Sequence, residues 1–205
     1  MTQDNSRPTA SLKPIKLGPL LPLDTKAIVG SVLLAVCFSI NMQITERLDN
    51  LTGVAIAPFT GVPLANWLGY TFLNLWFPTS VIYFGLTGAL IASNFNPIIA
   101  VLTATHPLAW SFFFFNMAWA VPNTFVFRYL IQSGRELTMG RFVGACAVGQ
   151  FFAATMFGIL MLIVAPGALG WVYFAIPLWN WIMVIPGGIM GFYFFNAVRS
   201  SGVME

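Results

Sequence analysis

The sequence predicts an all-α, polytopic membrane protein with about six transmembrane helices joined by short loops. No Asp, Glu, Lys or Arg occurs between Asp49 and Arg128, and none occurs between Arg141 and Arg199. A helix of a soluble protein needs a polar face toward water, whereas a lipid bilayer favours long uncharged stretches. Of the 205 residues, 58% are hydrophobic and 7% are charged. At about 20 residues per span, this length holds five or six spans and no sizeable soluble domain.

Three parts of the chain are expected. Residues 1–26 form a cytoplasmic N-terminal arm, residues 27–199 form a single transmembrane domain, and residues 200–205 form a C-terminal tail. The arm lacks the apolar core and the small-residue cleavage site of a secretory signal peptide. It is polar and rich in proline, and its basic residues are Arg7, Lys13, Lys16 and Lys26.

The first half of the transmembrane domain is predicted to hold three spans. Residues 27–44 form span 1, because this apolar stretch is long enough to cross a bilayer. Residues 45–62 contain three charged residues and two glycines, and they are predicted to form an outer loop or interfacial segment. Pro78 then divides the next apolar stretch, since the residue before a proline disfavours the α conformation. Span 2 is assigned to residues 64–77 and span 3 to residues 79–92.

The second half is predicted to hold the other three spans. Residues 94–97 and the His106-Pro107 pair are predicted breaks on either side of a short apolar piece. A polar loop over residues 132–141 and a tight turn over residues 166–170 separate the later spans. Span 4 is expected to kink at Pro122. Spans 4, 5 and 6 are assigned to residues 108–131, 142–165 and 171–198.

The basic residues predict the orientation of these spans. With six spans, the arm, the loop region with Arg128, Arg135 and Arg141, and Arg199 all lie on one side, which the positive-inside rule makes the cytoplasm. Five spans would place the arginine loop outside. We therefore expect a multi-pass protein of the cell membrane, or of the inner membrane where a cell has two, with both termini in the cytoplasm. The net charge of +3 then reflects topology, and a nucleic-acid partner is not expected.

His106 is the only histidine of the chain, and it lies within the first uncharged stretch. An ionisable side chain in such a stretch is a candidate for ligand binding, proton transfer or metal ligation. The alternative is a histidine that bonds a backbone carbonyl at a helix break. One imidazole cannot supply a bis-His haem, a three-His zinc site or a His-rich copper site. No protein metal site is expected, and the cofactor stays open.

Amide side chains within the apolar sequence indicate a cavity for a polar ligand, since a buried amide must find hydrogen-bond partners. Asn94 and Asn96 flank a predicted break, and broken backbone at membrane depth tends to line cavities. The alternative is that each amide bonds a neighbouring helix. The candidate ligand-binding residues are His106, Asn94, Asn96, Trp110, Asn116, Trp119 and Asn123, with the tryptophans available for ring stacking.

Small residues spaced four apart are typical of helices that pack closely. Packing within the chain is favoured over packing against another subunit, because most helices of a six-span bundle have neighbours. The sequence shows no phosphate-binding loop, paired carboxylates, Ser/His/Asp set or metal-ligand spacing. Neither an enzyme nor an autonomous active transporter is expected. The small-residue pairs are Ser31/Ala35, Gly140/Gly144 and Gly187/Gly191.

A run of small residues also carries a family resemblance. Residues 59–64 (Phe-Thr-Gly-Val-Pro-Leu) lead into a short span, Phe77-Pro78 forms a turn, and small residues at 85, 88 and 89 lie in the next helix. This pattern resembles the substrate-binding subunits of energy-coupling factor importers, which take up vitamins and other micronutrients. The resemblance covers residues 27–199. It implies a six-helix subunit that binds a vitamin or metal ion and docks on a membrane subunit driven by ATPases, with Ser31 and Ala35 on the docking face.

Two functions are therefore expected from the sequence. The first is a non-catalytic membrane subunit that binds a small molecule for uptake by a multi-subunit importer with an ATP-driven coupling module. The second is a small structural subunit of a respiratory or photosynthetic complex, in which the chain packs against partner helices, lipids, quinone or pigment. In that case His106 supplies at most one axial ligand.

Overall fold

The computed structural model describes residues 15–61, 65–106 and 108–203, and within these ranges the chain is helical and contains no strand. This confirms the all-α class. A short 3-10 helix, Ala109–Ser111, precedes α3. The α-helices are α1 (Thr25–Thr60), α2 (Trp67–Thr103), α3 (Phe112–Gln132), α4 (Met139–Val164), α5 (Val172–Ile182) and α6 (Val184–Ser201).

Four helical segments of the described chain are long and apolar enough to cross a membrane. They are α1, α2, α4 and the combined segment Val172–Ser201, in which α5 and α6 follow one another. Long apolar helices of this kind satisfy all their backbone hydrogen bonds internally, which is what a hydrocarbon environment demands. The membrane-compatible part of the predicted fold class is confirmed.

Helix α1 is much longer than expected, and the predicted loop over residues 45–62 is wrong. The helix runs without interruption to Thr60 and contains Pro58. It ends at Gly61, whose φ of 78° places it in the left-handed region and whose N–H bonds the carbonyl of Ala57. Of the three charged residues that indicated a loop, Glu46 and Asp49 are instead buried on one side of α1, whereas Arg47 is exposed.

Helix α2 corrects two further predictions. Pro78 and Pro97 both lie inside the helix, so neither Pro78 nor residues 94–97 break it. The break is at Gly85, where φ is 53° and ψ is −136°. A proline removes one backbone hydrogen bond. In an apolar interior, groups on neighbouring helices can bond the carbonyl that is left without its partner. A backbone conformation such as that of Gly85 is essentially restricted to glycine.

The two halves of α2 run antiparallel and form a helical hairpin. A Cβ atom on Gly88 would lie 2.3 Å from the carbonyl oxygen of Ser80, whereas residues eight apart in a straight helix are about 12 Å apart. At the other end of the hairpin, Gly69 and Asn96 bond two residues of α1 that are one turn apart, Asp49 and Glu46. We call this element the α2 hairpin and Gly85 its turn.

The segment formed by residues 15–24 docks on the hairpin turn. The N–H of Leu86 donates to the carbonyl of Leu20 at 2.8 Å, and the hydroxyl of Thr87 donates to the carbonyl of Pro22. The guanidinium of Arg128 on α3 donates to the carbonyls of Gly18 and Pro19 at 3.1 and 3.2 Å. Residues 1–14 of the predicted arm lie outside the described residues. The remaining part is bonded to the helices and does not extend away from them.

The α2 hairpin is the centre of the bundle, since it packs on α1, α3 and α6. Gly187 and Gly191 of α6 lie against the backbone of its first half, where added Cβ atoms would be 2.3 Å from the Thr71 oxygen and 2.1 Å from the Asn74 oxygen. This pair of small residues therefore packs within the chain. Helix α3 contains Pro122 and continues through it to Gln132.

Candidate functional site

Two carboxylates are buried on the inner face of α1, near the open ends of the α2 hairpin. Glu46 is 0% exposed and Asp49 is 1% exposed. They are one helical turn apart, so they lie on the same face of α1. The sequence prediction placed both in a loop and did not select them as site residues. Their position makes them the centre of the candidate site.

Asp49 caps the beginning of α2. Its Oδ1 accepts hydrogen bonds from the N–H groups of Trp67 and Leu68 at 3.1 and 3.0 Å, and its Oδ2 accepts from Gly69 at 2.9 Å. The first N–H groups of a helix have no partner within it and carry partial positive charge, so a carboxylate satisfies them well. Asn66 occupies the N-cap position, but its side chain makes no capping bond.

Glu46 accepts hydrogen bonds from two uncharged side chains. Its Oε1 accepts from the side-chain amide of Asn96 at 2.9 Å, and its Oε2 accepts from the hydroxyl of Thr105. Thr105 reaches the carboxylate because Ala104 ends α2 in the left-handed conformation, with φ of 49°. That conformation is strained for a residue with a Cβ atom, and such strain is often found at functional sites.

His106 fastens the loop after α2 to the beginning of that helix. Its Nδ1 accepts from the N–H of Leu108 at 3.0 Å, so its Nε2 carries the proton that bonds the carbonyl of Ala65 at 3.3 Å. The ring is buried and lies 5.2 Å from that of Phe112, between centroids. Burial lowers the pKa of His106 to about 4, so the imidazole is neutral at pH 7. The backbone bond is the one expected for a histidine at a helix break.

A narrow crevice adjoins the carboxylates and has room for about one water-sized guest. Asn66 and Asn96 both line this crevice, and the buried side-chain oxygen of each meets no donor among the described residues. The Asn66 oxygen lies against Gly69, where an added Cβ atom would be 2.1 Å away. Asn116 bonds the carbonyl of Ser93 through its Nδ2 at 3.2 Å. The lining residues are Phe38, Met42, Asn66, Gly69, Tyr70, Leu73, Asn96, Phe112, Phe115 and Asn116.

The structure brings together three of the residues selected from the sequence: Asn96 and Asn116 line the crevice, and His106 stands behind Phe112 at its edge. Asn94 and Trp110 do not join them. The amide of Asn94 bonds the carbonyl of Leu90 one turn back, and Trp110 is 49% exposed.

Trp119 and Asn123 belong to a different polar cluster, deeper in the bundle. The indole Nε1 of Trp119 donates to Asn74 at 3.0 Å, and Asn123 accepts from the N–H of Gly149 at 2.9 Å. Asn74 also donates to Gln150 at 2.8 Å, so this cluster ties α2, α3 and α4 together. These bonds are the interhelical ones that the alternative interpretation of the amides expects.

Ser31 and Ala35, the candidate docking residues, are both 0% exposed within the chain. Ser31 also bonds its own helix through the carbonyl of Ala27. In this arrangement neither side chain is available to a partner subunit.

The site residues missed by sequence reasoning were Glu46, Asp49 and Thr105. One signal could have found the first two: Phe38, Met42, Glu46 and Asp49 recur every three or four residues, which continues the buried face of span 1 by one more turn. Thr105 follows no pattern in the sequence, because the folding of the α2 hairpin alone brings it to α1.

Comparison with known proteins gives no match, whether with family models, with curated proteins or with solved structures. Across the described ranges, no group of three or more His, Cys, Asp or Glu side chains is placed to hold a metal ion. The chemistry of the site is therefore that of buried oxygen acceptors. Two carboxylates and three amides can accept hydrogen bonds or hold positive charge.

Proposed function

We propose that the chain is a six-span membrane protein with both termini on the cytoplasmic side. Each half of the α2 hairpin, at about 18 residues, is long enough to count as one span. The hairpin turn contacts residues 15–24, whereas its open ends contact Glu46 and Asp49. Counting α1, the two halves of α2, α3, α4 and the α5–α6 segment gives six crossings.

The charges support this orientation. Arg128 at the end of α3 bonds Gly18 and Pro19, which places a basic residue beside the segment that precedes α1. Arg135 and Arg141 follow in the loop before α4, and Arg199 lies in the last turn of α6. All belong to the same end of the six-span arrangement, which the positive-inside rule assigns to the cytoplasm. The crevice then lies toward the outer face.

This topology can be tested with single cysteines. Ala168 lies in the loop after α4, and Glu136 lies in the loop before it. In a chain with Cys37 and Cys146 changed to serine, Ala168→Cys should react with a membrane-impermeant maleimide on intact cells. Glu136→Cys should react only after the membrane is opened. Reaction of Glu136→Cys on intact cells would overturn the six-span, N-in arrangement.

For its activity, we propose a non-catalytic subunit that binds a small molecule for uptake by a multi-subunit importer. The observation that carries this proposal is the set of unpartnered amide oxygens of Asn66 and Asn96 in a crevice near the outer face. Binding sites for small molecules combine an apolar lining with a few placed polar groups, and this crevice has both. A vitamin-sized ligand would have to separate the His106 loop from the start of α2.

A binding measurement on the purified protein tests this activity. Calorimetric titration with a panel of vitamins should give saturable binding for one of them. Asn116→Ala should weaken that binding by about tenfold, since one placed hydrogen bond is worth about 1.4 kcal/mol. Asn94→Ala is the matched control, because Asn94 does not line the crevice and bonds its own helix, so this variant should keep full affinity. Failure of every compound to bind would count against an uptake subunit.

The second candidate function, a structural subunit of a respiratory or photosynthetic complex, is favoured by one observation. Helix α5 and the residue before it expose a set of large aromatic side chains, an arrangement that suits lipid or partner helices. Gentle detergent extraction followed by mass spectrometry separates the two candidates, since a structural subunit should retain fixed partners. The exposed aromatics are Trp171, Phe174, Trp179 and Trp181.

A further inference from the structure

We propose that the crevice binds one small monovalent cation of the size of Na⁺, K⁺ or NH₄⁺. The amide oxygens of Asn66 and Asn96 would hold the ion, and the Glu46 carboxylate behind them would attract it. The proposal deepens the proposed function of the same crevice. It rests on that function only for the side of the membrane from which the ion enters.

The first argument concerns charge. The negative charge of Asp49 faces three N–H groups at the start of α2, so the partial positive charge of the helix terminus offsets it. Glu46 has no comparable partner. Its two donors, Asn96 and Thr105, are neutral, and no Lys or Arg among the described residues bonds it. When it is ionised, a carboxylate in such surroundings attracts a nearby cation strongly, because little water screens it, and a bound cation in turn favours the ionised form.

The second argument concerns the unpartnered oxygens, and it does not depend on the carboxylates. Asn96 is 1% exposed and Asn66 is 6% exposed, and within the described ranges the Oδ1 of each meets no donor. Asn96 uses its Nδ2 on Glu46, which turns its oxygen away from that carboxylate, and the residue lines the crevice. A buried polar atom without a partner is costly, so two of them at one crevice indicate a ligand that accepts their lone pairs.

The third argument concerns size. The crevice has room for about one water-sized guest, and aromatic side chains, including Phe38, Phe112 and Phe115, form much of its wall. An ion must shed most of its water shell to enter. Neutral oxygen dipoles hold dehydrated monovalent ions in this way in channel filters, and aromatic faces add cation–π attraction. A divalent ion would need direct carboxylate ligands, but Glu46 and Asp49 stand behind Asn96 and Gly69.

Thermal unfolding of the purified full-length protein in detergent tests the proposal. The protein is kept in choline chloride, and NaCl, KCl or NH₄Cl replaces choline at constant ionic strength. One of the small cations should raise the Tm saturably, by about 5 °C at a hundred times its Kd. The choline series removes the general effect of salt. The three chlorides show which ion the crevice prefers.

Three variants locate the effect. Asn66→Ala removes an oxygen that has no partner in the described part of the chain, so the Tm in choline should stay near that of the wild type. The ion concentration for half of the effect should rise about tenfold. Glu46→Gln keeps the shape of the side chain and removes its charge, and it should weaken the ion effect at least as much. Asn94→Ala, a half-exposed amide outside the crevice, should leave the effect unchanged.

Each result decides the proposal. An equal rise in Tm with all cations including choline, or a full ion effect in Asn66→Ala, would overturn it. A stability change that follows pH but no cation would replace the ion by a proton and would also overturn it. If Glu46→Gln does not fold, Asn66→Ala still decides. If a vitamin binds but no cation changes the Tm, the ion proposal is wrong and the uptake function stands. If a cation raises the Tm but no vitamin binds, the ion proposal stands and the uptake function is wrong.

Discussion

The N–H of Leu86 donates a hydrogen bond of 2.8 Å to the carbonyl of Leu20, which joins the N-terminal segment to the turn of the α2 hairpin. Gly85 makes this contact possible, because a Cβ atom there would lie 2.4 Å from the same Leu20 oxygen. The segment before α1 thus satisfies the first N–H of the hairpin's second half. The turn and the docked segment depend on one another.

Gly85→Ala should be among the most damaging single changes. The backbone conformation at Gly85 is restricted to glycine, and the added methyl group would collide with the Leu20 carbonyl. We expect a loss of about 3 kcal/mol or more, measured as the shift of Tm in detergent. Gly144→Ala is the matched control, since a Cβ atom there meets nothing within 4 Å. It should be neutral or stabilise the helix by up to about 1 kcal/mol.

Gly191→Ala should disrupt the packing of α6 on α2. The added Cβ atom would lie 2.1 Å from the carbonyl oxygen of Asn74, and a backbone atom cannot move as a flexible side chain can. Overpacking of this kind typically costs about 1–3 kcal/mol. Gly140→Ala, with nothing within 4 Å, serves as the control for thermal unfolding. Equal Tm values for the two variants would mean that α6 does not pack this closely.

Asp49→Ala should destabilise the protein by about 2–3 kcal/mol, because three buried N–H groups at the start of α2 lose their acceptor. Asp49→Asn keeps one amide oxygen and should lose about half as much. Thr138→Ala removes the exposed N-cap of α4, which bonds the N–H of Arg141. That variant should cost about 1 kcal/mol or less. Unfolding in denaturant ranks the three, and an Asp49→Ala as mild as Thr138→Ala would contradict the capping role.

His106 should make stability fall in acid. Burial lowers its pKa in the folded protein to about 4 from the ordinary 6.5. Between these values the unfolded chain binds more protons than the folded one, so stability rises with pH across that window. The contribution is complete above about pH 6.5. Up to about 3 kcal/mol of it is lost as the pH falls through 4.

The matching variant for this prediction is His106→Gln, which can still donate to the carbonyl of Ala65 but does not titrate. Its Tm should vary less between pH 4 and pH 6.5 than that of the wild type. The carboxylates Glu46 and Asp49 lie close by and remain in both proteins, so the difference between the two pH profiles isolates the imidazole. Parallel profiles would show that His106 does not couple to stability.

The helical, apolar character of the chain could be predicted from the sequence, but the positions of the breaks could not. Pro78 and Pro97 are stronger breaking signals than Gly85 in any local reading, yet both prolines lie inside α2. A proline removes one hydrogen bond, which surrounding helices can offset, whereas the turn at Gly85 depends on Leu20 and Ser80. The position of such a turn depends on contacts between residues that are far apart in the sequence. The local preferences of single residues cannot predict these contacts.

The candidate site was predictable in part for a similar reason. Asn96 and Asn116 were selected as buried amides, and both line the crevice. Glu46 and Asp49 were assigned to water because charged residues usually lie there. Their burial depends on the N–H groups of α2 and on Asn96 and Thr105, which arrive from at least 18 residues away in the sequence. The helical spacing from Phe38 to Asp49 was the only local sign.

The turn at Gly85 also bears on how the protein is made. Phe84 and Leu86 are separated by a single residue, so no flexible linker joins the two halves of the hairpin, and they cannot fold independently of each other. In the six-span arrangement proposed above, both halves then enter the bilayer as one unit. A chain that ended soon after Gly85 would leave the first half without the packing that the second half provides.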